Sequence, residues 1–423
     1  MARLSLHGAG YFLFIQTRLT LIESGLTERK YSRLPKSQAE ALGIRNQFGA
    51  TGKLMKRRKF VGNAVIGATG TAALAGCRPT ATNSGAQSVS QPRIRWRMAT
   101  SWPQSLDTIF GGVETMSQRV SEMTNGRFTI KPFAAGEIVP GLQVLDAVQT
   151  GTVQCGHTAS YYYIGKNPAL AFGTTVPFGL DAQQQNAWLY HGGGLEAMHK
   201  LYSDFGVINF PAGNTGTQMG GWFKREVNSV AELQGLTMRI PGLGGDVMSR
   251  LGVNAQVLPG GEIYLALERG AIDAAEWVGP YDDEKLGLHQ AAQLYYYPGW
   301  WEPGATLEVQ VNKTEWDKLP KEYQEVFKTA AMDSNLNMLA RYDALNQQAL
   351  GKLLEAGVKL TPYSQEIMQA AQKASFEIYE ENAAQDSTFK EVYEQWKGFR
   401  EQIYQWHQVN QLSFSNFVMA NQE

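Results

Sequence analysis

Strands and helices alternate along the middle of this chain, and that alternation confines it to an α/β architecture. Ile94, Trp96 and Met98 alternate with Arg95 and Arg97, the two-residue period of a half-buried strand. An amphipathic helix is predicted over residues 107–123, closed by Asn125-Gly126. The alternating run 127–133 is the next strand; a Gly/Pro loop and a helix over 142–150 follow. Further strands are predicted at 153–157, 207–211, 218–223, 237–240 and 307–311, with helices at 181–190, 195–205 and 246–251. Short loops between such elements imply largely parallel sheets. After Thr314 the pattern turns to long helices, with Leu319-Pro320 opening one stretch and Gly357 ending another. Such a tail can brace two lobes or form an oligomer contact, and it leaves room for a homodimer.

From Met55 the chain reads MKRRKFVGNAVIGATGTAALAGC, with a basic start, a mildly apolar run and a small-residue exit. That is the layout of an export signal over residues 55–77. Arg57-Arg58 followed by Lys59-Phe60-Val61 resembles the twin-arginine signal, which is an address rather than an anchor. Leu74-Ala75-Gly76-Cys77 resembles a bacterial lipobox, which implies lipidation at Cys77 and a membrane tether. The apolar run is too short and too rich in Gly and Ala to span a bilayer well. A signal belongs at an N-terminus, so residues 1–54 read as a misassigned extension, with translation starting at Met55. The Ser/Thr/Asn/Gly/Gln tract in 78–92 reads as a flexible tether. About 330 residues remain for the folded part, long enough for two lobes around a cleft. A net charge of −1 gives no sign of a nucleic-acid surface. With Cys77 lipidated, Cys155 stands alone and no disulfide follows.

Enzyme motifs are mostly absent. His191-Gly192-Gly193-Gly194 looks like an esterase oxyanion loop, but no Gly-x-Ser-x-Gly elbow accompanies it, so it reads as a helix–helix turn. The Gly242–Gly245 cluster lacks dinucleotide-loop spacing, and there is no Walker sequence. Six histidines without a His-Glu-x-x-His pattern argue against a zinc hydrolase. His157 reads as structural and Cys155 as a buried thiol. Binding fits the remaining polar residues better than turnover does. The rival reading is a carboxylate-processing hydrolase or lyase using Glu276 or Glu302 as base.

Residues 274–303 concentrate aromatics: seven of thirty positions, against 11% over the chain. Acidic residues flank them at Glu276-Trp277 and Trp300-Trp301-Glu302. Aromatic walls with a few fixed polar groups suit a small-molecule pocket, although a packed strand and helix would show the same composition. Arg239 interrupts the apolar strand Leu236-Thr237-Met238-Arg239-Ile240. A buried guanidinium needs an anion, and its planar fork suits a carboxylate, whether from a ligand or from an internal salt bridge.

The segments SWPQSLDTIFGG, GHTASYYYIGK, PAGNTGTQMGGWF, LTMRIPG, AIDAAEWVGPYDDEKLG and YYYPGWWEPG resemble the solute-binding proteins of TRAP (tripartite ATP-independent periplasmic) transporters. The resemblance covers the chain from about Ile94 onward and is strongest to the branch that binds 2-oxo acids such as pyruvate; a related branch binds lactate. It implies a two-lobed periplasmic solute-binding-protein fold with hinge strands and a long helical C-terminal segment. The lobes would lie mainly in 93–212 and 213–306, with a return strand and C-terminal helices in 307–423. It implies a small 2-oxo or 2-hydroxy monocarboxylate as ligand, and a permease of one small and one large membrane subunit as partner. Carried over by motif, Arg239 would hold the carboxylate, with Tyr161, Tyr162 and Asn214 as further ligand contacts. Gln218, Glu276 and the Trp277 carbonyl would hold one metal cation, and Glu302 would lie beside that ion or the ligand. The resemblance implies sodium, with calcium as the alternative. Charge independently asks for a cation: Glu276, Glu302 and a ligand carboxylate against one Arg239 leave a net charge near −2 without one, a count that mildly favours calcium if Glu302 is ionised and close. Oxygen-only ligands suit a hard cation.

Overall fold

The computed structural model describes residues 91–421. The stretch before Met55, the export signal, Cys77 and most of the tether lie outside the described residues. Strands are numbered along the chain. β1 (Ile94–Thr100), β2 (Phe128–Phe133), β3 (Cys155–Thr158), β4 (Val207–Asn214) and β10 (Thr306–Asn312) form one sheet in the order β2-β1-β3-β10-β4. β5 (Trp222–Phe223), β6 (Thr237–Arg239), β7 (Asn254–Gln256), β8 (Ala274–Ala275), β9 (Leu294–Tyr297) and β11 (Lys359–Pro362) form the other, in the order β11-β9-β5-β8-β6-β7.

Both sheets are mixed, which corrects the expectation of largely parallel ones. β1 pairs parallel with β2 and β3, as helical crossovers require. β10, however, runs antiparallel between β3 and β4, and β5 runs antiparallel between β8 and β9. The reason is the path of the chain: it leaves the first sheet through β4 and returns through β10, so departing and returning strands lie side by side in opposite directions. The two crossings stay paired between the sheets. Thr215 N–H donates to Ala305 O (3.0 Å), Gln218 N–H to Glu302 O (3.1 Å) and Gly299 N–H to Gln218 O (3.0 Å). Residues 218–221, expected as strand, belong to this crossing, and only Trp222–Phe223 continues as β5.

The 35-residue helix Lys321–Glu355 spans about 50 Å and packs on β4, on helix Ile109–Met123 and on helix Pro280–Leu286. It therefore touches elements associated with both sheets. Phe327 anchors one end: fully buried, its ring lies 5.6 Å from Trp316, 5.8 Å from Trp96 and 6.1 Å from Phe210. Beyond Gly357 the tail is not all helical, because Lys359–Pro362 adds β11 in parallel to β9. Helices Gln365–Gln385 and Ser387–His407 then follow, and Phe172 packs among Tyr379, Phe389 and Trp396. Among the described residues no helix is long and apolar enough to cross a membrane.

Phe327→Ala is expected to cost about 3–5 kcal/mol, because the aromatic cluster cannot collapse into the space it leaves. Urea denaturation would read this as a lower midpoint at unchanged slope.

Candidate binding cleft

Arg239 ends β6 and Ala275 ends its parallel neighbour β8, in direct register. Arg239 and Glu276 consequently leave the sheet side by side, at the carboxyl ends of strands where α/β folds place their ligands. The buried guanidinium donates from Nε to Leu258 O (3.0 Å) and from Nη1 to Glu276 O (3.0 Å). Nη1 also pairs with the Glu276 carboxylate. The internal salt bridge weighed from sequence is thus present, yet it leaves Nη2 with no partner. The Trp277 ring centroid lies 5.2 Å from the guanidinium carbon, within cation–π range.

The crossing strands bring two more groups to this point. The hinge bond from Gln218 N–H to Glu302 O ties these residues together, and Met219 N–H donates to Val278 O (3.2 Å), beside Trp277. Gln218 Nε2 donates to Thr215 Oγ1 (3.0 Å), leaving Oε1 without a partner. Glu276 Oε2 and both Glu302 carboxylate oxygens are likewise without hydrogen-bond partners. Four acceptor oxygens and one guanidinium nitrogen are therefore buried and unspent in one place. Buried polar atoms are nearly always paired, so this concentration calls for an explanation.

The first sheet contributes aromatics through the short turn Ser160–Tyr163 after β3. Tyr161 and Tyr162 meet edge to face at 4.9 Å, and Tyr162 lies 6.3 Å from Trp102, which lies 6.4 Å from Trp277. Tyr163 turns the other way: its hydroxyl accepts from Leu145 N–H (3.2 Å) and bonds Thr158 Oγ1 (2.9 Å). The three consecutive tyrosines therefore divide, with Tyr161 and Tyr162 toward the charged cluster. Asn214 is placed differently from these. Its Oδ1 accepts from Gly216 N–H (2.8 Å) and its Nδ2 donates to Thr306 Oγ1 (3.1 Å), so its polar atoms serve the hinge.

The cluster is sealed: Arg239, Glu276, Glu302, Gln218 and Tyr161 are all buried. The glycine cluster at 242–245 explains part of the seal. Gly242 has φ +62, and a Cβ there would lie 3.0 Å from the Tyr161 Cβ; one on Gly244 would lie 2.8 Å from the Trp301 Cβ. Outside the cleft, Asp107 accepts from Tyr281 Oη (3.1 Å), Lys285 Nζ (2.5 Å) and Arg341 Nη2 (2.9 Å), joining three helical regions across the closure.

Burial dominates the electrostatics. It pushes the Glu276 carboxyl up to about 7; Arg239 opposes the rise and Asp283 adds to it. Burial, then the charge of Glu276, holds Glu302 well above the usual carboxylate range, and the Tyr161 hydroxyl moderates this. Burial likewise pushes Tyr162 up to about 12. Two carboxylates beside one guanidinium in a dry site keep a proton rather than both ionise.

Several supporting residues had no sequence signal of their own. Asp283 accepts from Trp222 Nε1 (2.9 Å), Tyr295 Oη (2.6 Å) and Val278 N–H (3.2 Å), fixing the loop that carries Glu276 and Trp277. Asp282 accepts from Tyr342 Oη (2.7 Å) on the long helix. Burial raises Asp282 to about 7 and Asp283 to about 6. His157, read as structural, accepts at Nδ1 from Trp102 Nε1 (2.7 Å) and holds that ring. Burial lowers its pKa to about 4 and raises that of the buried Cys155 thiol. Of these residues the sequence singles out His157 and Cys155, whereas nothing in the spacing of Asp282 and Asp283 assigns them a partner.

A family model described as bacterial extracellular solute-binding protein, family 7, matches residues 98–386. The chain belongs to that family and is a receptor subunit of a TRAP transporter, not an enzyme. A Nostoc sp. (strain PCC 7120 / SAG 25.82 / UTEX 2576) protein described as a monocarboxylate 2-oxoacid-binding periplasmic protein is 69% identical over 368 residues, covering 87% of this chain and 100% of that one. A TRAP transporter solute-binding protein from Bordetella bronchiseptica RB50 is 48% identical with a TM-score of 0.77, over 78% of this chain and 98% of that one. It was solved as a mixed-occupancy dimer with copurified calcium and picolinate in one site and the other apo. One from Pseudoalteromonas atlantica T6c, with bound sodium and pyruvate, is 38% identical with a TM-score of 0.75, over 78% of this chain and 100% of that one.

Glu276, Asp282, Asp283 and Glu302 each hold a proton more tightly folded than unfolded. Their contribution favours the fold below the ordinary carboxylate range and, for Asp283, Asp282 and Glu276, is lost as pH rises through about 6 to 7, with Glu302 adding to the loss in the same direction. In cation-free buffer the denaturation midpoint is expected to fall between about pH 5 and about pH 8, and Glu276→Gln to flatten that fall. A midpoint that rises over this range would contradict the assignment.

Proposed function

We propose that this receptor binds a small 2-oxo or 2-hydroxy monocarboxylate, pyruvate-like or lactate-like, together with one metal cation. The observation that carries the reading is the set of unspent atoms around Arg239. Nη2 is a free donor for a ligand carboxylate, and Gln218 Oε1 and Glu276 Oε2 are free oxygens for a cation. The Trp277 carbonyl completes the proposed ligand set, with Glu302 beside the ion or the ligand. Tyr161 and Tyr162 wall the ligand and supply hydroxyls. Asn214 shapes the hinge that presents Gln218. The donor set is oxygen only, which suits a hard cation; sodium is the proposal and calcium the alternative. A bound cation supplies positive charge that lets both carboxylates ionise and draws the ligand oxygens. The sealed cleft requires the lobes to open for exchange, and ligand shifts the population toward closure.

Delivery follows from the same reading. The exported receptor is directed by the twin-arginine-like signal, tethered by lipid at Cys77, and hands its ligand to the small and large permease subunits. A homodimer is compatible with the tether, and the Bordetella relative was solved as a dimer.

A thermal-shift panel on the 92–423 fragment tests this. Pyruvate, lactate, succinate and an amino acid are each added with sodium, with calcium and with chelator. At 100 times its dissociation constant a true ligand adds about 2.7 kcal/mol of stability. A shift limited to monocarboxylates and to one cation is expected; no shift with any combination would reject the reading. Arg239→Lys keeps the charge but loses the fork, and should cost about 2–5 kcal/mol of pyruvate binding. Glu276→Gln should raise the cation concentration needed for half-maximal pyruvate binding. Unchanged cation demand in titration calorimetry would remove Glu276 from the ligand set.

A further inference from the structure

Neither carboxylate oxygen of Glu302 makes a well-formed hydrogen bond, so apart from the influence of the Tyr161 hydroxyl its placement rests on the backbone that carries it. That backbone is braced by the segment 176–182. Phe178 sits at φ +52, a left-handed conformation that a bulky residue keeps only where its surroundings impose it.

Those surroundings are specific. Phe178 N–H donates to Trp300 O (2.8 Å), and its ring stacks on Trp300 with centroids 5.2 Å and planes 16° apart. Phe178 O accepts from Arg400 Nε (3.1 Å) and Tyr404 Oη (3.3 Å), both on helix Ser387–His407. The Tyr404 hydroxyl also donates to Gly179 O. One residue earlier, Pro177 O accepts from Tyr379 Oη (2.6 Å) on helix Gln365–Gln385. Further along, a Cβ on Gly304 would lie 2.4 Å from Ala182 N, so the return crossing lies directly against this segment. Trp300 and Gly304 bracket Glu302.

We propose that Phe178 is a positioning residue for Glu302: pinned by Arg400 and Tyr404 of the helical tail, it fixes the 300–304 loop and holds the Glu302 carboxylate in the cleft. The tail helices thereby act on the cleft without touching it. This rests on reading Glu302 as a cleft carboxylate, and the test separates the two claims.

Phe178→Gly removes the ring and frees the left-handed backbone; Tyr404→Phe removes one donor and keeps its packing. Hydrogen exchange over residues 299–305 is measured in the unliganded protein, and pyruvate affinity in saturating sodium. Phe178→Gly is expected to speed exchange in 299–305 about tenfold beyond any global change, and to weaken pyruvate about tenfold. Phe178→Tyr, which keeps the ring, recovers both, and Tyr404→Phe shows a smaller change of the same kind. Should Phe178→Gly not fold, Tyr404→Phe carries the same test. Exchange in 299–305 that rises only in step with the whole protein overturns the proposal, as does pyruvate affinity within twofold of the parent. Faster loop exchange in a protein whose parent binds neither pyruvate nor cation supports the strut and instead sinks the ligand reading.

Discussion

A single buried positive charge organises this molecule. Among the described residues Arg239 is the only buried arginine or lysine, and it faces Glu276 and Glu302 in the same sealed space. Burying a guanidinium is costly, and its pairing with Glu276 offsets part of that cost. The pairing is incomplete, however, because Nη2, Glu276 Oε2 and both Glu302 oxygens stay unpaired. A cluster so built has two ways to approach neutrality. It can hold protons, as the raised Glu276 and Glu302 carboxyls do, or it can accept a cation together with an anionic ligand. The second way exchanges protons for ligand, so binding and pH are linked through the same two side chains.

The chain path makes this cluster depend on closure. Gln218 and Glu302 lie on the two crossings between the sheets, Arg239 and Glu276 on adjacent strand ends of the second sheet, and Tyr161 and Tyr162 on a turn of the first. Few of these groups share a rigid element with the others. Their convergence is a property of the closed arrangement, supported by the long helix along elements of both sheets and by Asp107 at the rim. Dry surroundings strengthen each electrostatic contact, so the closed arrangement both assembles the site and raises what its charges contribute.

What the sequence disclosed, it disclosed where local and global signals agree. Ile94-Arg95-Trp96-Arg97-Met98 is a strand by pattern and in fact, with Trp96 and Met98 buried and Arg95 and Arg97 exposed. Arg239 was legible because a charge in an apolar strand breaks the pattern for a reason. The Gly242–Gly245 run was visible, but its purpose was not: it lets a helix approach Tyr161 and Trp301, a contact between distant parts of the chain. Lys359–Pro362 alternates polar and apolar residues for only four positions between long helical stretches, too short a signal to separate from them, and it becomes a strand by pairing with β9. The two-residue β8 is too short for any periodicity to report. Trp102 and His157 lie 55 residues apart, and nothing local announces their bond. The parallel-sheet expectation failed for a related reason, since strand direction here is set by the return crossing rather than by any strand's own residues.

With the proposed cation in place both carboxylates ionise, so cation and ligand together replace protons on the Glu276–Glu302 pair. Calorimetric titration of sodium into protein held in saturating pyruvate near pH 6.5, repeated in buffers of different ionisation enthalpy, counts the protons exchanged. Release of roughly one proton per cation bound is expected, shrinking as pH rises above the raised carboxyl range. Binding with no proton release near pH 6.5, or with proton uptake, would contradict it.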